Sequence, residues 1–483
     1  VRATLDLGRG YVSLFCVALL PLLPVSAALA QDSHYWSNQF GDRSAFLGGA
    51  VVGGVRDSSA TFYNPGALGF VGNANLTVGA NAFELADLHV SDGVGGAADL
   101  DSEEVQAIPL LVSGVFDPQD IPGLFAYSLF AKNSHAMKVS GRRQATENVL
   151  DTPSAPGPER FSGQFSREDR LLEVWGGVSY AYRFGERFST GLSTYAALRN
   201  QKLSQTLSAR ALNEQTHVVA TRDEHTDVDF WNLRLLGKAG LAAEFGRWRA
   251  GLTLTSPSLN LAGRGDVSVD LAAVHLDVNG DGDGDHFFAN SKSEGIASRF
   301  RSPLSVALGA ELDATRSTRL CASAEWFQQV GQYRVLSPKD PAFDQVMADA
   351  PALADRSSIR VTDEARSVVN FAVGIEQELS EGMSAYLSAR TDKTYLPNDR
   401  GADIPLGFSN WDLVHFTTGV RLQRDNSDFG LGFGYTYGQR KDFPQAVNFS
   451  NPTGEGLLVG KPGQASATFQ AYTVLLGVTY YVR

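Results

Sequence analysis

The sequence predicts an all-β protein: a transmembrane antiparallel β-barrel of about 14 strands with an N-terminal hatch, or plug, in its lumen. Three observations lead there. Beyond residue 30 there is no run of 18 apolar residues, so no helix of this chain is built to span a bilayer. Segments of about ten residues alternate apolar and polar side chains with period two, and each keeps its charges on one face. The connections between them alternate between a few residues and many, the pattern of short periplasmic turns and long outer loops.

Composition narrows the function. Of 483 residues, 19% are charged and 43% hydrophobic, with a net charge of −12. The charged fraction is below the roughly 25% usual in soluble domains. A net negative chain lacks the basic surface that nucleic acid requires. Residues 1–30 read as a signal peptide: Arg2 and Arg9 lead an apolar core from Tyr11 to Leu23, and Ala28-Leu29-Ala30 fits the small-x-small cleavage rule. The mature chain is then expected to start at Gln31. With Cys16 removed, Cys321 is left without a disulfide partner.

Residues 31–72 form the expected hatch. Gly48, Gly49, Gly53 and Gly54 interrupt one apolar run, which is too broken for a stable helix. Asn64-Pro65-Gly66 closes it with a turn signal, because Pro fixes φ and Gly opens it. The same pattern also fits a glycine-rich lead-in to the first strand.

Residues 73–483 form the expected barrel. Strands are predicted at 74–83, 105–116, 123–133, 169–183, 188–210, 226–245, 248–262, 300–313, 318–335, 366–379, 383–395, 412–424, 428–440 and 468–483. From Trp231 the apolar face reads Leu233, Leu235, Gly237, Ala239, Leu241, Ala243 and Phe245, and Arg234, Lys238 and Glu244 share the other. From Phe429 to Tyr437 the apolar face opposes Gly430, Gly432 and Gly434, small residues that leave lumen space. Long outer loops are expected at 84–104, 134–168, 211–225, 263–299, 336–365, 396–411 and 441–467. Leu150, Phe161, Phe287, Phe288, Phe343, Phe443 and Phe449 put apolar groups in them.

Residues that could carry chemistry are few. Asp277, Asn279, Asp281, Asp283 and Asp285 alternate as in the first half of a calcium loop, although position twelve is Phe288 rather than Glu. Ca2+ in an outer loop is one reading and a solvated acidic turn the other; no cofactor is required. The eight His residues are scattered singly, and neither a GxSxG elbow nor a phosphate loop is present, so the chain does not read as an enzyme. Inward-facing Glu173, Arg183, Arg234, Lys238, Glu244, Glu311, Glu325, Glu376, Arg390 and Arg421 form a lumen network. One of its cations could meet a ligand carboxylate, but the sequence does not say which.

Arg56-Asp57-Ser58-Ser59-Ala60 followed by Phe62-Tyr63-Asn64-Pro65 resembles the hatch of the outer-membrane long-chain fatty acid transporter family, which includes toluene and xylene channels. The family form is Asn-Pro-Ala-Gly-Leu; here Gly66 and Ala67 are exchanged. Phe300 to Gly309 and Glu325-Trp326-Phe327 resemble later strands of that family. The resemblance implies hatch or gating roles for Asp57, Phe62, Tyr63, Asn64, Pro65 and Gly66. It also implies passive uptake of fatty acids or aromatic hydrocarbons across a Gram-negative outer membrane: capture at the outer loops, transfer to a hatch-gated site, and lateral release. A non-transporting scaffold or secretion-associated barrel is the alternative. The expected partners are a hydrophobic small molecule, outer-membrane lipid and the barrel assembly machinery, with the chain itself a monomer.

Overall fold

The computed structural model describes residues 33–72, 75–106, 111–118, 121–278, 280–338, 360–397, 404–424 and 426–481. The expected signal segment 1–30, Asn279 and Phe343 lie outside them. Among the described residues no helix is long and apolar enough to cross a membrane.

The strands are β1 (Asn75–Ser91), β2 (Leu100–Gln106), β3 (Leu111–Phe116), β4 (Leu124–Glu147), β5 (Glu159–Phe184), β6 (Phe188–Leu212) and β7 (Val219–Phe245). Next come β8 (Trp248–Thr255), β9 (Leu259–Leu276), β10 (Asp285–Ala297), β11 (Ser305–Asp313), β12 (Thr318–Phe327), β13 (Val330–Leu336) and β14 (Val361–Ala365). The last are β15 (Val368–Ser380), β16 (Met383–Asp392), β17 (Ile404–Pro405), β18 (Leu413–Arg424), β19 (Ser427–Pro444) and β20 (Gln464–Tyr481). β13, β14 and β17 form a separate small sheet, and the other 17 form one sheet. In that sheet β2 and β3 lie end to end along β1, β8 and β9 along β7, and β11 and β10 face β8 and β9 in turn. The wall therefore has 14 staves, and β20 pairs with β1 to close it. Closure leaves no sheet edge to be satisfied by lipid.

The faces follow the alternation. Phe429, Leu431, Phe433, Tyr472, Leu476 and Val478 point outward, and the inward Arg234, Lys238 and Glu311 are buried. The short hairpins turn at Gly185 and Gly246, with φ of +70° and +61°, a backbone state that Gly enters without strain.

Two sets of boundaries differ from expectation. The loops placed at 134–168 and 263–299 are mostly strand: β4 and β5 pair out to Glu147↔Glu159, and β9 and β10 out to Leu276↔Asp285. Above the bilayer both faces can be polar, so alternation fades while the ladder continues. The strand expected at 318–335 also ends early. It stops at Phe327, and Val330–Leu336 turns inward as β13.

The apolar residues expected at loop tips are instead a core that caps the barrel. Leu150, Phe161, Phe287, Phe443 and Phe449 are buried there with Trp411 and Phe469, whereas Phe288 is exposed. Burying these rings holds the long hairpins against one another.

Candidate functional site

The N-terminal segment lies in the lumen. It contains α1 (Asp42–Phe46), α2 (Ala60–Tyr63) and a 3-10 turn (Pro65–Phe70), nearly all buried. Gly48 and Gly49, at φ +59° and +81°, end α1 in a conformation that other residues rarely adopt. The inward glycines of the wall receive its side chains. A Cβ added at Gly432 would come within 2.5 Å of the Phe46 ring, and Gly419 and Gly430 border the same ring.

The Asn-Pro-Gly turn seats against the wall rather than against open space. Asn64 Nδ2 donates to Val52 O (3.0 Å) and to Leu241 O of β7 (2.9 Å), and Asn64 Oδ1 accepts from Gly66 N (3.0 Å). Pro65 and Gly66 lie against Gly191 and Gly240, where any added Cβ would collide with backbone. Thr253 Oγ1 of β8 donates to Tyr63 O (2.8 Å), and the Tyr63 hydroxyl donates to Gln39 Oε1 (3.0 Å) while accepting from Phe40 N (2.9 Å). Asp57 Oδ1 accepts from Ser59 N (2.8 Å) just ahead of α2. Of the six sequence-named residues, Tyr63, Asn64, Pro65 and Gly66 meet the wall, and Asp57 braces the turn ahead of α2.

Ion pairs lock it at a second place. Arg43 bonds Glu311 of β11 (3.0 Å) and Glu376 of β15 (2.8 Å), and it donates to Gly54 O (3.2 Å). Its carboxylate neighbours keep this buried guanidinium charged despite the cost of burial. Asp42 next to it has a different environment. Its Oδ1 is buried without a hydrogen-bond partner, its Oδ2 accepts only a long bond from Thr479 (3.4 Å), and burial pushes its pKa up to about 7, with Asp57 adding to the rise.

The sixth residue, Phe62, faces a cavity of about 90 Å3 between the N-terminal segment and the wall. Trp36, Trp175, Leu236, Phe300 and Phe327 supply much of its apolar surface. Lys132 and Lys238 bring two cations to the same ring: Lys238 Nζ lies 4.1 Å and Lys132 Nζ 5.6 Å from the Phe62 centroid. Lys132 also donates to Tyr35 O. Among the described residues, no carboxylate forms an ion pair with Lys238. The anions nearby are already engaged. Glu173 takes Arg199 (3.1 Å), Arg234 (2.7 Å) and the Trp175 indole (2.7 Å), and Glu325 takes Trp36 (2.7 Å) and Ser305 (2.6 Å).

Lys132 reaches the cavity because β4 bulges between Ala131 and Asn133. Below the bulge β3 pairs with β4 from Leu111↔Phe130 to Phe116↔Phe125, above it β2 pairs with β4 at Asp101↔Ser140, and residues 107–110 lie outside the described residues. Sequence reading named Lys238 only as one of ten lumen charges and missed Trp36, Lys132 and Trp175. The extra residue of a bulge leaves no mark in an alternation pattern.

The acidic loop turns its side chains to its own backbone. Asp277 Oδ1 accepts from Gly280 N (2.6 Å) and Asp281 N (3.1 Å), Asp277 Oδ2 from Gly282 N (2.9 Å), and Asp285 Oδ2 from Val278 N (3.2 Å). Asp281 Oδ1 accepts from Asp283 N (2.9 Å). Among the described residues, no three His, Cys, Asp or Glu side chains are grouped to hold a metal ion.

Fold and site together define a class: a 14-stave transmembrane-type β-barrel whose N-terminal segment fills the lumen beside a partly apolar cavity. The same fold is found in the Pseudomonas putida toluene transporter TodX, at 13% identity and a TM-score of 0.56, covering 92% of this chain and 99% of that one. A Pseudomonas aeruginosa FadL homologue matches at 14% identity and 0.56, covering 93% and 100%. The Ralstonia pickettii toluene transporter TbuX matches at 12% and 0.55, covering 92% and 99%. At these identities the likeness is one of fold. No protein-family model and no curated protein sequence matches the chain.

Proposed function

We propose that this chain is an outer-membrane channel for passive uptake of hydrophobic compounds, with the cavity beside Phe62 as its binding site. The observation that carries the reading is the cavity itself: a partly apolar pocket within the barrel, bounded by the N-terminal segment on one side and by the β4 bulge on the other. A hydrophobic molecule crosses the polar outer surface of such a membrane poorly. Burial of its apolar surface, at roughly 25 cal/mol per Å2, would draw it into the pocket. The N-terminal segment gates the pocket from the periplasmic side, because the Asn64 and Arg43 clamps tie it to β7, β11 and β15. Release is lateral, through the wall beside the β4 bulge.

The Lys238 ammonium favours a ligand with an anionic head, such as a fatty acid, over a neutral arene, since a buried cation gains most from a partner that brings its own charge. The test is binding of oleate and of toluene to the detergent-purified, delipidated protein. Oleate is expected to saturate. Lys238→Met is expected to weaken it by roughly ten- to a hundredfold, the worth of one charge-assisted hydrogen bond, while toluene changes little. Failure of both probes to bind a folded barrel would overturn the reading.

A further inference from the structure

The wall has a second interruption, five staves further round, where β8 gives way to β9 and β10 to β11. The ladder between these staves stops at Thr255↔Ser305 on the periplasmic side and resumes at Gly265↔Ile296 and Arg264↔Ala297 on the loop side. Between them the chain carries Pro257 and Pro303, neither of which can donate a backbone bond. Four hydrogen bonds cross the break. Ser258 N donates to Ser302 O (3.3 Å), Ser302 N to Ser258 Oγ (2.8 Å), Phe300 N to Asn260 Oδ1 (2.9 Å) and Ser298 N to Gly263 O (3.2 Å). Two of the four acceptors are side chains. Here the chain turns from wall to interior: Ser298, still bonded to Gly263 of β9 and to Trp231 of β7, also bridges to Leu336, and Arg299 N donates to Val335 O of β13, inside the barrel.

The break lies within the lipid-facing band. On the neighbouring β7, Leu235 opposite Leu259 falls between the outward Trp231 and Phe245, nearer the Trp231 end, which leads to the long loops. Leu254, Leu259 and Leu261 are exposed around it. Irregular backbone survives at this depth only where protein buries it or a cavity takes it up. Here the cavity does so: Thr255, Phe300, Ser302, Pro303 and Ser305 all line the pocket beside Phe62. The Phe300 ring stands between pocket and break, with the Arg199 guanidinium 3.8 Å and that of Arg234 4.7 Å from its centroid.

We propose that this break is a second lateral portal, gated by Phe300, through which the pocket exchanges hydrophobic ligand with the outer leaflet. The inference rests on the pocket being a ligand site, as proposed above. Opening it requires separating these four bonds and three more that tie Ser298 and Ser302 to β7, from Ser298 Oγ to Trp231 O (2.6 Å), Asn232 Nδ2 to Ser298 O (3.2 Å) and Arg234 Nη1 to Ser302 Oγ (2.6 Å), and rotating one ring, whereas elsewhere along these staves a ladder of backbone bonds would have to part. A wall with openings on two sides lets ligand enter from the outer leaflet at one and leave at the other, which the buried loop core over the barrel makes the more direct route.

A disulfide tests it. Ser258→Cys with Ser302→Cys would staple the break, and Leu192→Cys with Ala239→Cys would staple an intact ladder between β6 and β7 as the control. Both proteins are placed in liposomes whose bilayer holds oleate or toluene, and the rate of ligand arrival is followed by tryptophan fluorescence, Trp36 and Trp175 lying in the pocket. Oxidation is expected to slow arrival by about tenfold or more in the Ser258/Ser302 pair, reversibly with reductant, without changing final occupancy or the control. Phe300→Ala is expected to speed it. Arrival within about twofold of the reduced protein, at undiminished occupancy, would overturn the portal and leave the binding site standing. Failure of either probe to occupy the reduced protein would remove the binding site and the portal with it.

Discussion

Asp42 gives the N-terminal segment a pH-dependent seat. Its carboxyl is buried, its Oδ1 has no hydrogen-bond partner among the described residues, and its pKa rises from 3.8 to about 7, chiefly from burial and then from Asp57. Asp428 also opposes ionisation, and Arg421 and Thr479 favour it too weakly to reverse the balance. The folded-state pKa lies above the unfolded value, so the seated state binds the proton more tightly. That contribution is fully present below about pH 4 and is lost as pH rises through about 7. Three units correspond to roughly 4 kcal/mol between the two ends of the range. Hydrogen–deuterium exchange of residues 41–56 reads this directly. Protection is expected to fall between about pH 4 and 7 in the native sequence and to level off above that, by up to about a thousandfold where local opening governs exchange. Asp42→Asn, neutral at every pH, is expected to hold its protection constant and to exceed the native protein above pH 7. A native protein whose protection does not change across that range, after correction for intrinsic exchange, would refute the assignment.

Other outcomes follow from the same geometry. Arg43→Ala leaves Glu311 and Glu376 buried without their shared partner, a loss of about 3 kcal/mol with Arg249 and Arg319 still close by. Limited proteolysis in the N-terminal segment should then run far faster than in the native protein while the strands stay protected. Asn64→Ala removes both the bond to Leu241 O of the wall and the brace on Gly66 N, and about 1–3 kcal/mol of seating with them, measurable by the same proteolysis. In the acidic loop the backbone amides already occupy Asp277, so calcium titration is expected to give no saturable heat. A saturable heat that disappears in Asp281→Asn would support the calcium reading instead.

The sequence by itself determined the wall. Alternation depends only on which side of each strand meets lipid, so Phe429 to Tyr437 or Trp231 to Phe245 could be read residue by residue, and the count of 14 staves with them. The Asn64-Pro65-Gly66 turn was legible because its brace, Gly66 N to Asn64 Oδ1, is local, whereas the bond from Asn64 to Leu241 O, 177 residues on, was not. The site was not legible. Lys132 enters the pocket through a bulge, Phe300 through a length of wall that folds inward, and Trp36 through a loop anchored to Asp392, 356 residues away. Each of these depends on how distant staves are brought together when the barrel closes. The apolar rings of the outer loops show the same limit. Sequence could assign Phe161, Phe443 and Phe449 to the long connections, but only tertiary packing decided that they share one buried core instead of facing a ligand.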